Sequence, residues 1–359
     1  MLLISVLISF LLTCLLIWIL TPVAHKIKLL DKPGGRKKHH GNIPLIGGIA
    51  MYLGLLVGIL VSGDGMGGYK GLLIAGGILL VVGTIDDYVD LRASARFLAQ
   101  ILAALIIVFV DGTELLDLGN LFGTGTVELH WFSTIFTLIA VVGVINATNM
   151  SDGLDGLAGG LAFVSISALL IAAFVANATD MIHFLPLVIA VMAAFLLFNM
   201  RSSLLPQARI FMGNGGSMFL GLLLAWVFIQ SAQGEDRIIT PVTALWVFAL
   251  PILDTVCIMI RRIIKGRSPF APDREHFHHI LLVAGYSVKQ CVWVMIAVAA
   301  FLSVVGLITL NTNLPEQLMF IGMLFLFALY FWGMSHAWRV MKAIRLDNKK
   351  PATGPVDSQ

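Results

Sequence analysis

Long apolar runs constrain this chain more than any other feature. An α-helix needs about 20 apolar residues to cross the hydrocarbon core of a bilayer. Eleven such segments follow one another: 2–21, 43–62, 70–86, 93–110, 131–148, 157–176, 182–199, 215–232, 241–260, 290–309 and 317–338. Short polar stretches marked by Gly, Pro, Asn and charge separate them. Only 12% of the 359 residues are charged, against about 25% in soluble domains. A soluble fold this apolar would expose patches larger than monomers tolerate, so lipid is the solvent for most of the surface. The expected fold is all-α, a polytopic bundle of about eleven transmembrane helices. Residues 1–345 form one integral-membrane domain. Residues 346–359 are polar, contain Pro351 and Pro355, and read as a disordered tail.

Orientation follows from the basic residues. With the N-terminus outside, the inner segments are 22–42, 87–96, 200–213, 261–289 and 339–359, and they hold 21 of the 23 Lys and Arg. Lys70 and Arg237 alone fall outside. The C-terminus is then cytoplasmic. The first segment has no Lys or Arg before Lys26, so it reads as a retained anchor rather than a secretory signal. Cys14, Cys257 and Cys291 lie in or beside apolar runs without metal-ligand spacing and read as buried apolar side chains.

Three inner junctions carry unusual polarity. GTIDDYVD ends the third segment and places Asp86 with Asp90, and Asp87 with Asp90, on shared helix faces. Like charges at that spacing repel, and ionised groups near a bilayer resist desolvation, so cations are needed to hold them. NATNMSDGLDGLAGG sets Asp152 three residues before Asp155 among four glycines, with Asn146 and Asn149 nearby. RIFMGNGGSMFLG places Gly213, Asn214, Gly215 and Gly216 before a helix expected to start near Ser217. Free N–H groups at such a start can receive an anion such as phosphate.

Two basic loops face these acids. DKPGGRKKHHGNIPLIGG carries Arg36, Lys37, Lys38, His39 and His40. RRIIKGRSPFAPDREHFHH carries Arg261, Arg262, Lys265, Arg267, Arg274, His276, His278 and His279. Positive-inside bias and anionic lipid account for some of the Lys and Arg, but not for three histidines within four residues. Asp254, inside the ninth segment, reads either as functional or as a salt-bridge partner of Arg261. Hard oxygen donors suit Mg²⁺ bound through carboxylates, water and substrate phosphates. Cationic groups beside them suit a diphosphate. This is equipment for phosphoryl transfer, and its place in the membrane implies a lipid substrate.

With these strings in order, and with PVTALW between them, the chain resembles the polyprenyl-phosphate N-acetylhexosamine-1-phosphate transferases over about residues 1–345. The resemblance is closest to the branch that uses undecaprenyl phosphate and UDP-N-acetylglucosamine. It implies attack of the lipid phosphate on the sugar-linked phosphate, loss of UMP and formation of undecaprenyl-pyrophosphate-N-acetylglucosamine, the lipid that starts O-antigen and enterobacterial common antigen assembly. It also implies a bacterial inner-membrane protein with a cytoplasmic site, dependent on Mg²⁺, with Mn²⁺ as the alternative metal. Asp86, Asp87, Asp152 and Asp155 become the candidate catalytic residues, with Asp86 or Asp87 as the base. Lys38, His39, Asn149, Asn214, Arg261, Arg262, His276, His278 and His279 become candidates for binding substrate, and Asp87, Asp152 and Asn214 for holding metal. The family usually has aspartate where this chain has Asn214, and that position ligates metal in relatives. Partners are the two substrates and membrane lipid, with no nucleic acid; a homodimer is compatible with the sequence, which does not fix the oligomeric state. The alternatives are another UDP-N-acetylhexosamine, UDP-N-acetylmuramoyl-pentapeptide, or, in a different class, a proton-coupled transporter or lipid flippase.

Overall fold

The computed structural model describes residues 1–31, 41–63, 67–203, 205–269, 275–308, 310, 312 and 314–347, with side chains up to 337. Thirteen α-helices form in chain order among them: α1 (Leu2–Ile27), α2 (Gly47–Ser62), α3 (Lys70–Val89), α4 (Ala93–Asp111), α5 (Ser133–Ser151), α6 (Leu157–Ala176), α7 (Thr179–Asn199), α8 (Gly213–Ala232), α9 (Pro241–Val247), α10 (Ala249–Ile264), α11 (Phe277–Val283), α12 (Val288–Ile308) and α13 (Glu316–Asp347). A two-residue antiparallel hairpin pairs β1 (Leu30–Asp31) with β2 (Ile43–Pro44). Among the described residues nine helices are long and apolar enough to cross a membrane, and α9 with α10 makes a bent tenth. The chain is a multi-pass helical membrane protein, as its apolar runs require.

Two features differ from the sequence reading. The second run gives a helix of only 16 residues, because Ile43 and Pro44 are taken by the hairpin. This short helix packs on α1 through Gly54 and Gly58. A Cβ on either glycine would lie within 2.0 Å of the Thr13 or Ser9 hydroxyl. Small residues at four-residue spacing let helix backbones approach closely in lipid.

The run 241–260 is not one helix. It breaks at Phe248 into α9 and α10, which meet at 83°. Pro251 has no N–H to donate to the Val247 carbonyl four residues back, and its ring crowds that group. The Ser165 and Ser303 hydroxyls donate to the Val247 oxygen instead, at 3.0 and 3.2 Å. A broken helix is tolerated in a membrane protein when neighbouring side chains satisfy the freed backbone. Helix α13 runs to Asp347, and residues 348–359 lie outside the described ones.

Helix α8 is the central element, buried along nearly its whole length. Its glycines explain how three neighbours close on it. A Cβ on Gly215 would meet the Leu80 carbonyl of α3 at 2.6 Å, one on Gly216 the Cα of Gly48 in α2 at 2.6 Å, and one on Gly221 the Cα of Ile145 in α5 at 2.6 Å. These glycines therefore lie inside the helix and serve packing. The helix starts at Gly213, not near Ser217. Strict up-and-down succession delivers the C-termini of α3, α5 and α7 and the N-termini of α4, α6 and α8 to one end of the bundle.

Candidate active site

Asp86 sits at the last turn of α3, buried at 3% exposure. Its carboxylate is surrounded by donors. Arg96 of α4 reaches Oδ2 at 3.0 Å, the Asn214 amide Nδ2 reaches the same oxygen at 2.8 Å, and the Leu91 N–H reaches Oδ1 at 2.8 Å. The expected clash with Asp90 is relieved by local geometry: Asp90 leaves the helix in the left-handed region at φ 51° and is exposed.

Asp87, half-buried, receives the Asn214 backbone N–H at 3.0 and 3.2 Å. The anion at the start of α8 is thus the Asp87 carboxylate of this chain, where the sequence suggested a phosphate. Gly213 permits the approach. Its φ is +76°, and a Cβ there would lie 2.7 Å from Asp87 Oδ2. Asn149 continues the array by donating to Ser217 Oγ at 2.7 Å.

The second acidic loop links α5 to α6. Asp155 is buried and paired with Arg201 at 2.7 Å, with the Ala208 N–H on the same oxygen. Asp152 is exposed at the surface of this loop. No hydrogen bond or ion pair joins its carboxylate to another described residue. Withdrawal from bulk water, then the charges of Asp87, Asp155 and Asp31, push its pKa up to about 7. Each of these causes disfavours the charged form.

The histidine loop closes the site from the side. His276 Nδ1 lies 2.8 Å from Asp254 Oδ2. Its ring stacks on His278 at 5.4 Å and 11°, and the His278 and His279 centroids are 4.2 Å apart. His278 touches the acidic loop: a Cβ on Gly153 would lie 2.7 Å from His278 Nε2. Burial, then the neighbouring His279 and His276, push the His278 pKa down to about 3, so this ring is neutral. Arg261 and Lys265 turn to Glu275 at 2.9 and 2.6 Å. Asp254 therefore pairs with His276 and not with Arg261. Arg262 is buried and donates to the Pro269 carbonyl. Lys38 and His39 lie outside the described residues.

A cavity of about 710 Å³ opens beside Asp86 and His276; Asp87, Asp152, Asp155 and His278 are not among its lining residues. Asp86, Arg96, Asn149, Asn214, Arg262 and His276 line its polar wall, and Phe97, Leu98 and Ile101 of α4 line an apolar one. Leu98 is itself 68% exposed, and α4 is long and apolar enough to cross a membrane. The sequence reading missed three contributors. Arg96 looked like an ordinary inner-face cation, although its spacing from Asp86 could have suggested a pair across the α3–α4 turn. Asp31 lies in a hairpin too short for any periodic signal. Gln100, buried and hydrogen-bonded by Asn146 at 2.7 Å, was a single polar residue in an apolar run, which is itself a functional signal.

Fold and site together define a multi-pass helical membrane protein in which Asp86, two arginines and His276 line one cavity, with the second acidic loop in contact with the histidine loop. The glycosyl transferase family 4 pattern matches residues 69–232, the stretch from α3 to α8 that contains Asp86, Asp87, Asp152, Asp155 and Asn214. The chain is 37% identical over 337 residues to the undecaprenyl-phosphate alpha-N-acetylglucosaminyl 1-phosphate transferase of Yersinia pestis, covering 94% of this chain and 92% of that one. It is 37% identical over 341 residues to the Haemophilus influenzae protein of the same name, covering 95% and 96%. The Escherichia coli K12 protein of that name is 35% identical over 337 residues, covering 94% and 92%. The chain belongs to glycosyl transferase family 4.

Proposed function

We propose that this protein transfers N-acetylglucosamine 1-phosphate from UDP-N-acetylglucosamine to undecaprenyl phosphate, at the cytoplasmic face of a bacterial inner membrane. The observation that carries the reading is the two-sided cavity. Its polar wall offers hydrogen-bond donors and cations to phosphates, and its apolar wall is formed by α4, a helix long and apolar enough to cross a membrane. A lipid phosphate needs both. The names of the relatives supply the acceptor and the sugar, and the basic loops at this end of the bundle support a cytoplasmic location.

In the reaction an oxygen of the lipid phosphate bonds to the phosphorus attached to the sugar. The bond from that phosphorus to the bridging oxygen breaks, and UMP leaves with the electron pair. The acids divide this work by their surroundings. Asp86 already accepts from Arg96, Asn214 and Leu91, so it anchors the α3–α4–α8 junction rather than accepting a proton. Asp87, half-buried at the α8 start, is the better placed base when the lipid phosphate arrives protonated. Asn149 and Asn214 supply amides, Arg262 supplies donors on the far wall of the cavity, and His276 lines that wall beside it.

The donor set fits Mg²⁺. No group of three or more His, Cys, Asp and Glu converges tightly enough to cage an ion among the described residues, but Mg²⁺ normally uses only one or two carboxylates with substrate phosphates. The raised pKa of Asp152 comes first from withdrawal from water and then from the carboxylates of Asp87, Asp155 and Asp31, so negative charge gathers around it. Asp87 and Asp152 would hold the ion, with the Asn214 carbonyl oxygen as the third donor. Bound there, it would offset charge on the diphosphate and the departing UMP.

The test is UMP release by purified protein given undecaprenyl phosphate and a panel of UDP-sugars, with Mg²⁺, Mn²⁺ or EDTA. UMP should appear with UDP-N-acetylglucosamine and undecaprenyl phosphate together, and disappear with EDTA. Preference for UDP-N-acetylmuramoyl-pentapeptide, or lipid movement without UMP, would overturn the reading.

A further inference from the structure

Asp254 lies on α10, beyond the break at Phe248, in a stretch that the acidic motifs do not include. It is buried, and both of its oxygens are used. Oδ2 faces His276 Nδ1 at 2.8 Å, while Oδ1 receives the Phe277 N–H at 3.0 Å and the Tyr330 hydroxyl of α13 at 2.8 Å. A carboxylate only accepts, so the hydrogen on His276 lies on Nδ1. The second ring nitrogen, Nε2, is thereby committed to the other side of a ring that lines the cavity. Which imidazole nitrogen carries the proton is set by the partner of the other. The contacts continue past His276: its ring stacks on His278, and His278 touches Gly153 of the acidic loop. Tyr330, Asp254, His276, His278 and Gly153 thus form a continuous strut from α13 to the loop of Asp152 and Asp155.

We propose that Asp254 is a positioning residue for the transfer reaction, acting through His276 by fixing its tautomer and presenting Nε2 to the cavity as an acceptor for a protonated group of the bound substrates. The inference rests on the proposed transferase activity. The 83° bend gives it a structural reason. A straight helix over 241–260 would carry Asp254 along the bundle axis, whereas the bent α10 brings it beneath the histidine loop.

Asp254→Asn separates positioning from simple support. The amide oxygen still accepts from Phe277 and Tyr330, but an N–H now faces His276, and the ring must present Nδ1 as an acceptor. The expected result is a kcat for UMP release lowered by about 10–100-fold, the range for lost partners that orient a site imidazole. KM for UDP-N-acetylglucosamine and Tm should stay near wild type. In a His276→Ala background the same Asp254 change should cost nothing further. An equal loss in both backgrounds, or a kcat within about twofold of wild type, would overturn the proposal. His276→Asn supplies a check that does not depend on the Asp254 variant folding. It keeps an N–H for Asp254 but places no ring nitrogen in the cavity, so it should fold normally and be as impaired as His276→Ala. Wild-type activity in His276→Asn would refute the assignment. Absence of UMP release from the wild-type protein would instead refute the underlying activity.

Discussion

Replacing Asn214 by aspartate tests the electrostatics at the heart of the site. Asn214 Nδ2 lies 2.8 Å from Asp86 Oδ2, and that oxygen can only accept. In Asn214→Asp a second carboxylate takes the place of the donor. Two unit charges at that separation repel by about 6 kcal/mol at an effective dielectric constant near 20. Arg96 already contacts the same oxygen at 3.0 Å and would return part of this, leaving a net cost of about 2–3 kcal/mol. The metal-free variant should therefore melt below the wild type. Mg²⁺ should close the gap, because a divalent ion is the natural partner of the new pair. The assay is Tm in EDTA and across a Mg²⁺ titration, with UMP release followed over the same range. Half-maximal activity should move to lower Mg²⁺ in the variant. Equal melting of the two proteins in EDTA, or an unchanged Mg²⁺ titration, would refute the reasoning.

Arg201→Ala strands the buried Asp155 carboxylate and should lower stability by about 3 kcal/mol, the low end for a broken buried pair because Arg201 is partly exposed; Arg201→Lys should recover part of the Tm. Asp152 sets a pH dependence in metal-free protein. Its folded pKa of about 7 lies above its ordinary 3.8, so the folded state binds more protons between those values. Stability on account of Asp152 should fall as pH rises from about 4 to 7 and then level off, and Asp152→Asn should remove that part of the slope in Tm against pH. At the helix break, Ser165→Ala and Ser303→Ala should each be mild, since either hydroxyl can still serve the Val247 carbonyl. The double variant leaves that carbonyl without a donor and should cost about 1–3 kcal/mol, more than the sum of the two; simple additivity in Tm would count against the capping role.

Helix content and most boundaries were legible because lipid imposes one requirement, a long apolar run, on every span. The 70–86, 93–110, 157–176 and 290–309 runs became helices within a few residues of where they were read. What escaped were features that depend on partners far along the chain. Pro251 signals a break only if something can satisfy Val247, and Ser165 and Ser303 lie 82 and 56 residues away. Gly215 and Gly216 looked like a phosphate-binding turn, because close helix packing and close ligand approach make the same demand, a missing Cβ. Asp86, Asp87, Asp152 and Asp155 were all found as candidates from spacing. Their different surroundings were not, since those depend on Arg96, Arg201 and Asn214 arriving from other helices.

Those surroundings explain how four motif acids gather at one end of the bundle. Asp86 and Asp155, the more buried two, each have an arginine and a backbone N–H. Without such partners, carboxylates at that depth would cost several kcal/mol each. With them they tie α3 to α4 and α8, and the α6 start to the segment after α7. Asp87 receives the backbone N–H at the α8 terminus, and Asp152 is held by no described donor. The arginine-paired acids carry the other two on short, fixed arms: Asp87 follows Asp86 directly, and Asp152 precedes Asp155 by three residues. The fold spends its fixed cations on the acids that brace helices and leaves negative charge where a mobile cation and two phosphates must meet. A helical bundle in lipid has few other ways to keep an anionic site open, because each uncompensated charge must sit at a helix end, within reach of water.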